Sequence, residues 1–240
     1  MNNDNQCQSI YSAISLLTLI LLLNACEKNT SGYFPLQKGL IWQYSIENYA
    51  VNVHSSEKEI IQNIGSEGSG TDKVFVNNSV TGLRSYYQQN DEAVLLKYQI
   101  LPDGTRIEPG DIRATIFRYP LQTGNSWKGV MTTNSLQSYD AHAHAVLEDI
   151  PVSVSIEAMD ETIVVDAGKF RNCMRIVSKG EKVVAKGKYA YQPKMTISIT
   201  NTRWYAEGIG LIKEEHIEDS DILQYTKAIY IVTLDKFTPN

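Results

Sequence analysis

Asp140-Ala141-His142-Ala143-His144 is the stretch whose residue types and spacing best suit chemistry. On a strand, side chains two apart project from one face, so Asp140, His142 and His144 point the same way. A His-x-His pair can ligate zinc through its imidazoles, and a carboxylate can add a third ligand. His54 or His216 completes such a set if the fold brings either close. The plainer reading is a solvated strand face opposite an alanine stripe, which leaves the three residues as weak metal candidates. The G-x-S-x-G, H-E-x-x-H and G-x-G-x-x-G patterns are all absent. Glu148, Glu157, Asp160 and Glu161 could pair, but their spacing does not place them. No catalysis and no cofactor is the expectation.

The remaining reactive side chains are the cysteines Cys7, Cys26 and Cys173. Cys173 has no base near it in sequence, so it reads as a buried small hydrophobe rather than a catalytic thiol.

The elements that must position these groups read as strands. Leu40, Trp42, Tyr44 and Ile46 alternate with Ile41, Gln43, Ser45 and Glu47, the period of a half-buried strand. Val94, Leu96, Tyr98 and Ile100 share a face, as do Met195, Ile197 and Ile199. Val152, Val154 and Ile156 follow Pro151, where a bulge or bend is expected. Thr162–Asp166 leads into a tight turn at Ala167-Gly168-Lys169-Phe170, and Lys179-Gly180-Glu181-Lys182 reads as a charged turn. Gly65–Gly70 reads as a flexible loop, without the Lys-Ser/Thr of a phosphate-binding loop. Ile222–Leu234 closes the chain as a strand. A short helix has room only around Ser55–Asn63 or Ser135–Ser138.

One device occurs twice. Tyr33-Phe34-Pro35-Leu36-Gln37-Lys38-Gly39-Leu40-Ile41-Trp42 and Tyr119-Pro120-Leu121-Gln122-Thr123-Gly124-Asn125-Ser126-Trp127 share Pro-Leu-Gln-x-Gly-x-x-Trp behind an aromatic residue. Proline fixes φ, glycine permits a left-handed turn, and tryptophan heads a strand with a large apolar face to bury. Many short strands at this spacing predict an all-β chain. A curved antiparallel sheet then forms a barrel, half-barrel or sandwich, with two repeated halves possible that meet near Tyr119.

The apolar run ending at Leu23-Asn24-Ala25-Cys26 is shorter than the ~20 residues a membrane-crossing helix needs and suits a cleavable signal. It resembles the signal of bacterial lipoproteins: a greasy segment, a small residue, then the cysteine. The resemblance implies a signal peptide over 1–25, acyl chains on Cys26, a short tether over 26–32 and a β-rich domain over 33–240. A plain signal cut elsewhere and a misassigned start codon are the alternatives, and no Lys or Arg precedes the run. Glu27, rather than aspartate, follows the cysteine, which implies the outer membrane, facing the periplasm. The net charge of −5 argues against nucleic acid and against a polybasic hold on anionic lipid. Attachment then falls to the lipid anchor.

The paired Pro-Leu-Gln-x-Gly-x-x-Trp segments, Ala167-Gly168-Lys169-Phe170 with Cys173, and Trp204-Tyr205-Ala206-x-Gly208-x-Gly210-Leu211-Ile212-Lys213 together resemble uncharacterised bacterial envelope lipoproteins with curved antiparallel sheets. Those carry no catalytic residues to transfer. The expected shape is similar, by fold analogy only, to the lipoprotein carriers LolA and LolB. Three functions remain in order: a non-catalytic binding or envelope-assembly module with an envelope-protein partner; a carrier of a lipid or other apolar ligand; and a zinc-dependent enzyme. A deep cavity would favour the second, and clustered histidines the third.

Overall fold

The alternation becomes thirteen strands among the described residues of the computed structural model, which are 32–50, 53–110, 114–133, 136, 146–185, 194–222, 225 and 227–240. They are β1 (Ile41–Ala50), β2 (Val53–Glu67), β3 (Val74–Ser79), β4 (Arg84–Gln89), β5 (Ala93–Ile100), β6 (Arg106–Ile107) and β7 (Thr115–Arg118). They continue as β8 (Ser126–Thr132), β9 (Asp149–Val165), β10 (Gly168–Ala185), β11 (Lys194–Ala206), β12 (Gly210–Ser220) and β13 (Ala228–Thr238). One 3-10 turn, Gly70–Asp72, is added. No helix among these residues is long and apolar enough to cross a membrane.

All strands join one antiparallel sheet, ordered β6-β5-β4-β3-β2-β1-β13-β12-β11-β10-β9-β8, with β7 also paired to β5. Sequential strands are neighbours nearly throughout. The long-range ladder is β1 with β13, where Ile46 faces Val232 and Tyr44 faces Leu234. The sheet is curved and open: β6 and β7 flank one edge and β8 the other. Of the three shapes expected, the structure takes the half-barrel. Ser31–Asn240 makes one compact unit.

The repeated device folds the same way twice. Gly39 has φ +96° and Gly124 φ +90°, both left-handed, which a residue with a Cβ reaches only at a cost. Gly39 N–H donates to Asn63 O at 2.8 Å and receives the return bond one residue on, from Asn63 N–H to Leu40 O at 2.9 Å. Gly124 N–H donates to Ile156 O at 2.8 Å, and Ile156 N–H returns to Asn125 O at 2.9 Å. Trp42 and Trp127 are then each the second residue of a strand, and both are buried. The Tyr119–Pro120 bond is cis.

Several local expectations are corrected. Ser55–Asn63 lies wholly inside β2, because pairing with β1 from Ala50 to Ile41 overrides weak local pattern. The expected loop at Gly65–Gly70 begins only at Gly68, since Gly65 sits at a bulge within the β2–β3 ladder. Lys179–Lys182 is no turn: β10 runs straight through and pairs with β11, Gly180 opposite Ile199. A Cβ on Gly180 would lie 2.1 Å from Pro151 O, so glycine here allows a close backbone approach. Pro151 causes no bulge against β8, where it faces Val130 in unbroken register. The β9–β10 ladder ends at Ser153, so the missing N–H is not needed there. The last strand starts at Ala228 rather than Ile222. Of the other possible helix, Ser135–Ser138, only Leu136 falls within the described residues.

Apolar packing gathers in two places. One cluster joins Phe117, Trp127, Ile150, Ile156, Ile176, Ile197 and Ile199 across β7 to β11. The other gathers Ile163, Phe170 and Cys173 of the β9–β10 hairpin with Ile212 and Leu234. Ala167 N–H, in the hairpin turn, donates to Leu234 O at 3.1 Å.

Candidate functional site

The inner face of the sheet is not filled evenly. Between β1, β2 and β11–β13 it leaves a cavity of about 300 Å³. Period-two alternation aims its walls inward: Trp42, Tyr44 and Ile46 from β1, Glu59 and Ile61 from β2, Arg203 and Tyr205 from β11, Glu214 from β12, Tyr230 and Val232 from β13. Phe34, in the first repeat, closes one end. Its ring meets Tyr87 at 5.0 Å and Phe117 at 5.7 Å, and Phe117 meets Tyr205 at 4.7 Å, all edge-on. These rings divide the cavity from the filled core beyond.

Two polar tips of the walls are already satisfied. Trp42 Nε1 donates to Ile209 O at 2.6 Å, and Tyr44 OH donates to Leu211 O at 3.0 Å. Both therefore present apolar ring surface to the cavity rather than free donors.

The charged groups are arranged differently. Arg203 and Glu214 are register partners across β11 and β12, yet no ion pair joins them. Arg203 hydrogen-bonds the Tyr205 phenol, and its buried Nε has no partner. Glu214 Oε1 accepts from Asn201 Nδ2 at 2.7 Å, while Asn201 Oδ1, also buried, has no partner. Glu59, on β2, accepts from Ser79 Oγ of the neighbouring strand β3.

The electrostatics follow from this crowding. Burial alone would lower the Arg203 guanidinium, but the Tyr205 phenol and the Glu214 carboxylate outweigh it and hold it protonated. Burial pushes the Tyr205 phenol up to about 12, Arg203 opposing and Glu214 adding to the rise. Burial, then Glu214, Glu57 and Glu59, push Tyr230 up to about 12. All three groups keep their neutral-pH charge state.

The residues singled out from sequence fall elsewhere. Cys26, Asp140, His142 and His144 lie outside the described residues. His54 is exposed on β2, stacked on Tyr49 at 4.5 Å and bonded to Glu47 at 2.8 Å. It faces away from Glu59 and Ile61, an odd number of residues along the strand. His216 is buried on β12 with Nε2 2.8 Å from Glu218 Oε1, whose other oxygen accepts Leu136 N–H at 2.7 Å. The two histidines are thus not brought together. Among the described residues no group of three His, Cys, Asp or Glu side chains is placed to hold a metal. Cys173 is fully buried, and that burial pushes its thiol up.

Arg203, Glu214 and Glu59 were not apparent from local sequence. The signal that could have found them is continuation of the β11 alternation: Met195, Ile197 and Ile199 share a face that next carries Asn201 and Arg203.

No protein-family model matches the chain, and no curated protein matches it. Two solved structures are similar. One, from Bacteroides fragilis, is described as an exported protein with a YmcC-like fold; at 13% identity the match covers 87% of this chain and 99% of that one, with a TM-score of 0.42. The other, from Parabacteroides distasonis, is described as a lipoprotein; at 16% identity it covers 86% and 98%, with a TM-score of 0.38. At that level of superposition neither lends a function to this chain.

Proposed function

We propose that this chain is a lipid-tethered, non-catalytic binding domain of the bacterial envelope, anchored through Cys26 at the outer membrane and facing the periplasm, with a small ligand held in the inner-face cavity. The cavity carries this reading. A sheet that packs Ile, Val and Met closely across β7 to β11 leaves about 300 Å³ unfilled between aromatic walls. That volume is at the lower end of small-molecule sites, ~300–1,000 Å³. A purely apolar cargo such as an acyl chain suits it less well, because Arg203, Glu59 and Glu214 would lose hydration with no polar group in return.

Two measurements test the proposal. Native mass spectrometry of the protein purified from its own membranes is expected to show a bound small molecule, lost in a Val232→Phe variant that fills the cavity. A ligand-free spectrum of the parent, or a ligand retained unchanged in that variant, would remove the binding role. Cys26→Ser is expected to abolish palmitate incorporation and move the protein to the soluble fraction; unaltered fractionation would remove the anchor.

A further inference from the structure

The chemistry of the ligand can be read from the polar corner of the cavity, given that the cavity binds a small molecule at all. Cross-strand partners carry Cβ atoms ~5 Å apart, close enough for opposite charges to pair. Arg203 and Glu214 are such partners and feel each other's charge, yet no close ion pair joins them and neither makes one with another described residue. Buried charges are ordinarily paired, because leaving one desolvated and alone is costly.

Open hydrogen-bonding capacity of both signs meets at this corner. Arg203 Nε, on the cavity wall, is a buried donor without an acceptor, and Glu214 lines the same wall. The Glu214 carboxylate spends one oxygen on Asn201 Nδ2 and has the other in reserve. An anionic ligand alone would satisfy Arg203 but meet repulsion from Glu214 and from Glu59 across the cavity. A cationic ligand alone would satisfy the carboxylates and leave the guanidinium unpaired.

We propose that the Arg203–Glu214 corner of the cavity binds the head of a small zwitterion of the amino-acid or short-peptide class. Its carboxylate lies on Arg203 and its ammonium on Glu214. Its side chain lies against Trp42, Tyr44 and Tyr230. Charge-assisted hydrogen bonds at both ends satisfy the Arg203 Nε donor and the Glu214 oxygen that Asn201 leaves open.

The test is calorimetric titration of the full purified chain with the twenty common amino acids and with L-alanyl-L-phenylalanine. Each zwitterion that binds is then compared with its matched amine and acid, for example L-phenylalanine with 2-phenylethylamine and 3-phenylpropanoate. At least one zwitterion is expected to bind about tenfold or more tightly than both single-charge analogues, one charged hydrogen bond being lost in each. Arg203→Gln is expected to erase the advantage over the amine, and Glu214→Gln the advantage over the acid, with circular dichroism reporting that each variant is folded. Analogues binding as tightly as the zwitterion would overturn the proposal. So would a panel without binders while native mass spectrometry finds a different occupant, and then the binding role would stand. An empty panel with an empty native spectrum would remove both.

Discussion

β11 passes through two regions that share a face and behave differently. Its first half, with Met195, Ile197 and Ile199, enters a core closed by Trp127, Ile150, Ile156 and Ile176. Its second half carries Asn201, Arg203 and Tyr205 on the same side, beside the cavity. On the β10 side the backbone does not distinguish them, since β11 pairs from Ala185 to Met174 without a register shift, while on the β12 side the register shifts between Trp204 and Tyr205. What differs is what the side chains meet across the inner face. One half is thus built for packing, and the other keeps desolvated charge next to open volume, an arrangement that costs stability and persists at binding sites.

Truncation should separate the halves most sharply. Ile197→Ala removes a fully buried side chain from the filled half and is expected to cost about 4 kcal/mol in urea unfolding. Ile61→Ala, beside existing open volume, should cost roughly 2 kcal/mol, since fewer contacts are lost. Equal losses would mean that the cavity half is as tightly packed as the other.

Alkaline pH should then act through the cavity half. Tyr205 and Tyr230 hold their phenol protons up to about 12, against ~10 in an unfolded chain. The folded state binds more protons over that interval, so stability is fully present below pH ~10 and falls as pH rises towards 12. Tyr230→Phe should flatten the fall in thermal midpoint across those values; an unchanged slope would take Tyr230 out of the account.

The repeated glycines offer a smaller effect that ignores the division. Gly39→Ala and Gly124→Ala place a Cβ at φ +96° and +90°, each expected to cost about 1–2 kcal/mol. Similar losses at the two sites, read by denaturant midpoint, would mark the device as structural in both halves. Smallest of all is Arg203→Met. Removing a half-buried guanidinium that makes no close ion pair should leave stability within about 1 kcal/mol of the parent, or raise it. A large loss would mean that Arg203 holds the fold rather than a ligand.

Much of the fold was legible in short windows. Period two in Leu40–Ile46 predicted β1 and its buried Trp42, Tyr44 and Ile46. The shared Pro-Leu-Gln-x-Gly-x-x-Trp pattern pointed to one device used twice, and the two glycines adopt one conformation with the same pair of backbone bonds. Gly180 misled because a glycine between charged residues looks like a turn, while its reason is a Pro151 carbonyl that sequence places 29 residues away. The site was hidden for the same cause. Arg203 and Glu214 look like ordinary exposed charges until β11 is laid beside β12, and Glu59 joins them only once β13 has returned to β1.

Local pattern by itself determined the all-β character, the inward-facing set of each strand and the turns that need a left-handed glycine. These follow from the two-residue pleat and from steric limits on φ and ψ, which act within a few residues. Long-range pairing sets whether the sheet stays open, where its inner face is packed and where it is hollow, and which charges meet there. Those outcomes depend on pairing between residues nearly two hundred positions apart, as between Ile41 and Thr238, and no short-range preference encodes a partner at that distance.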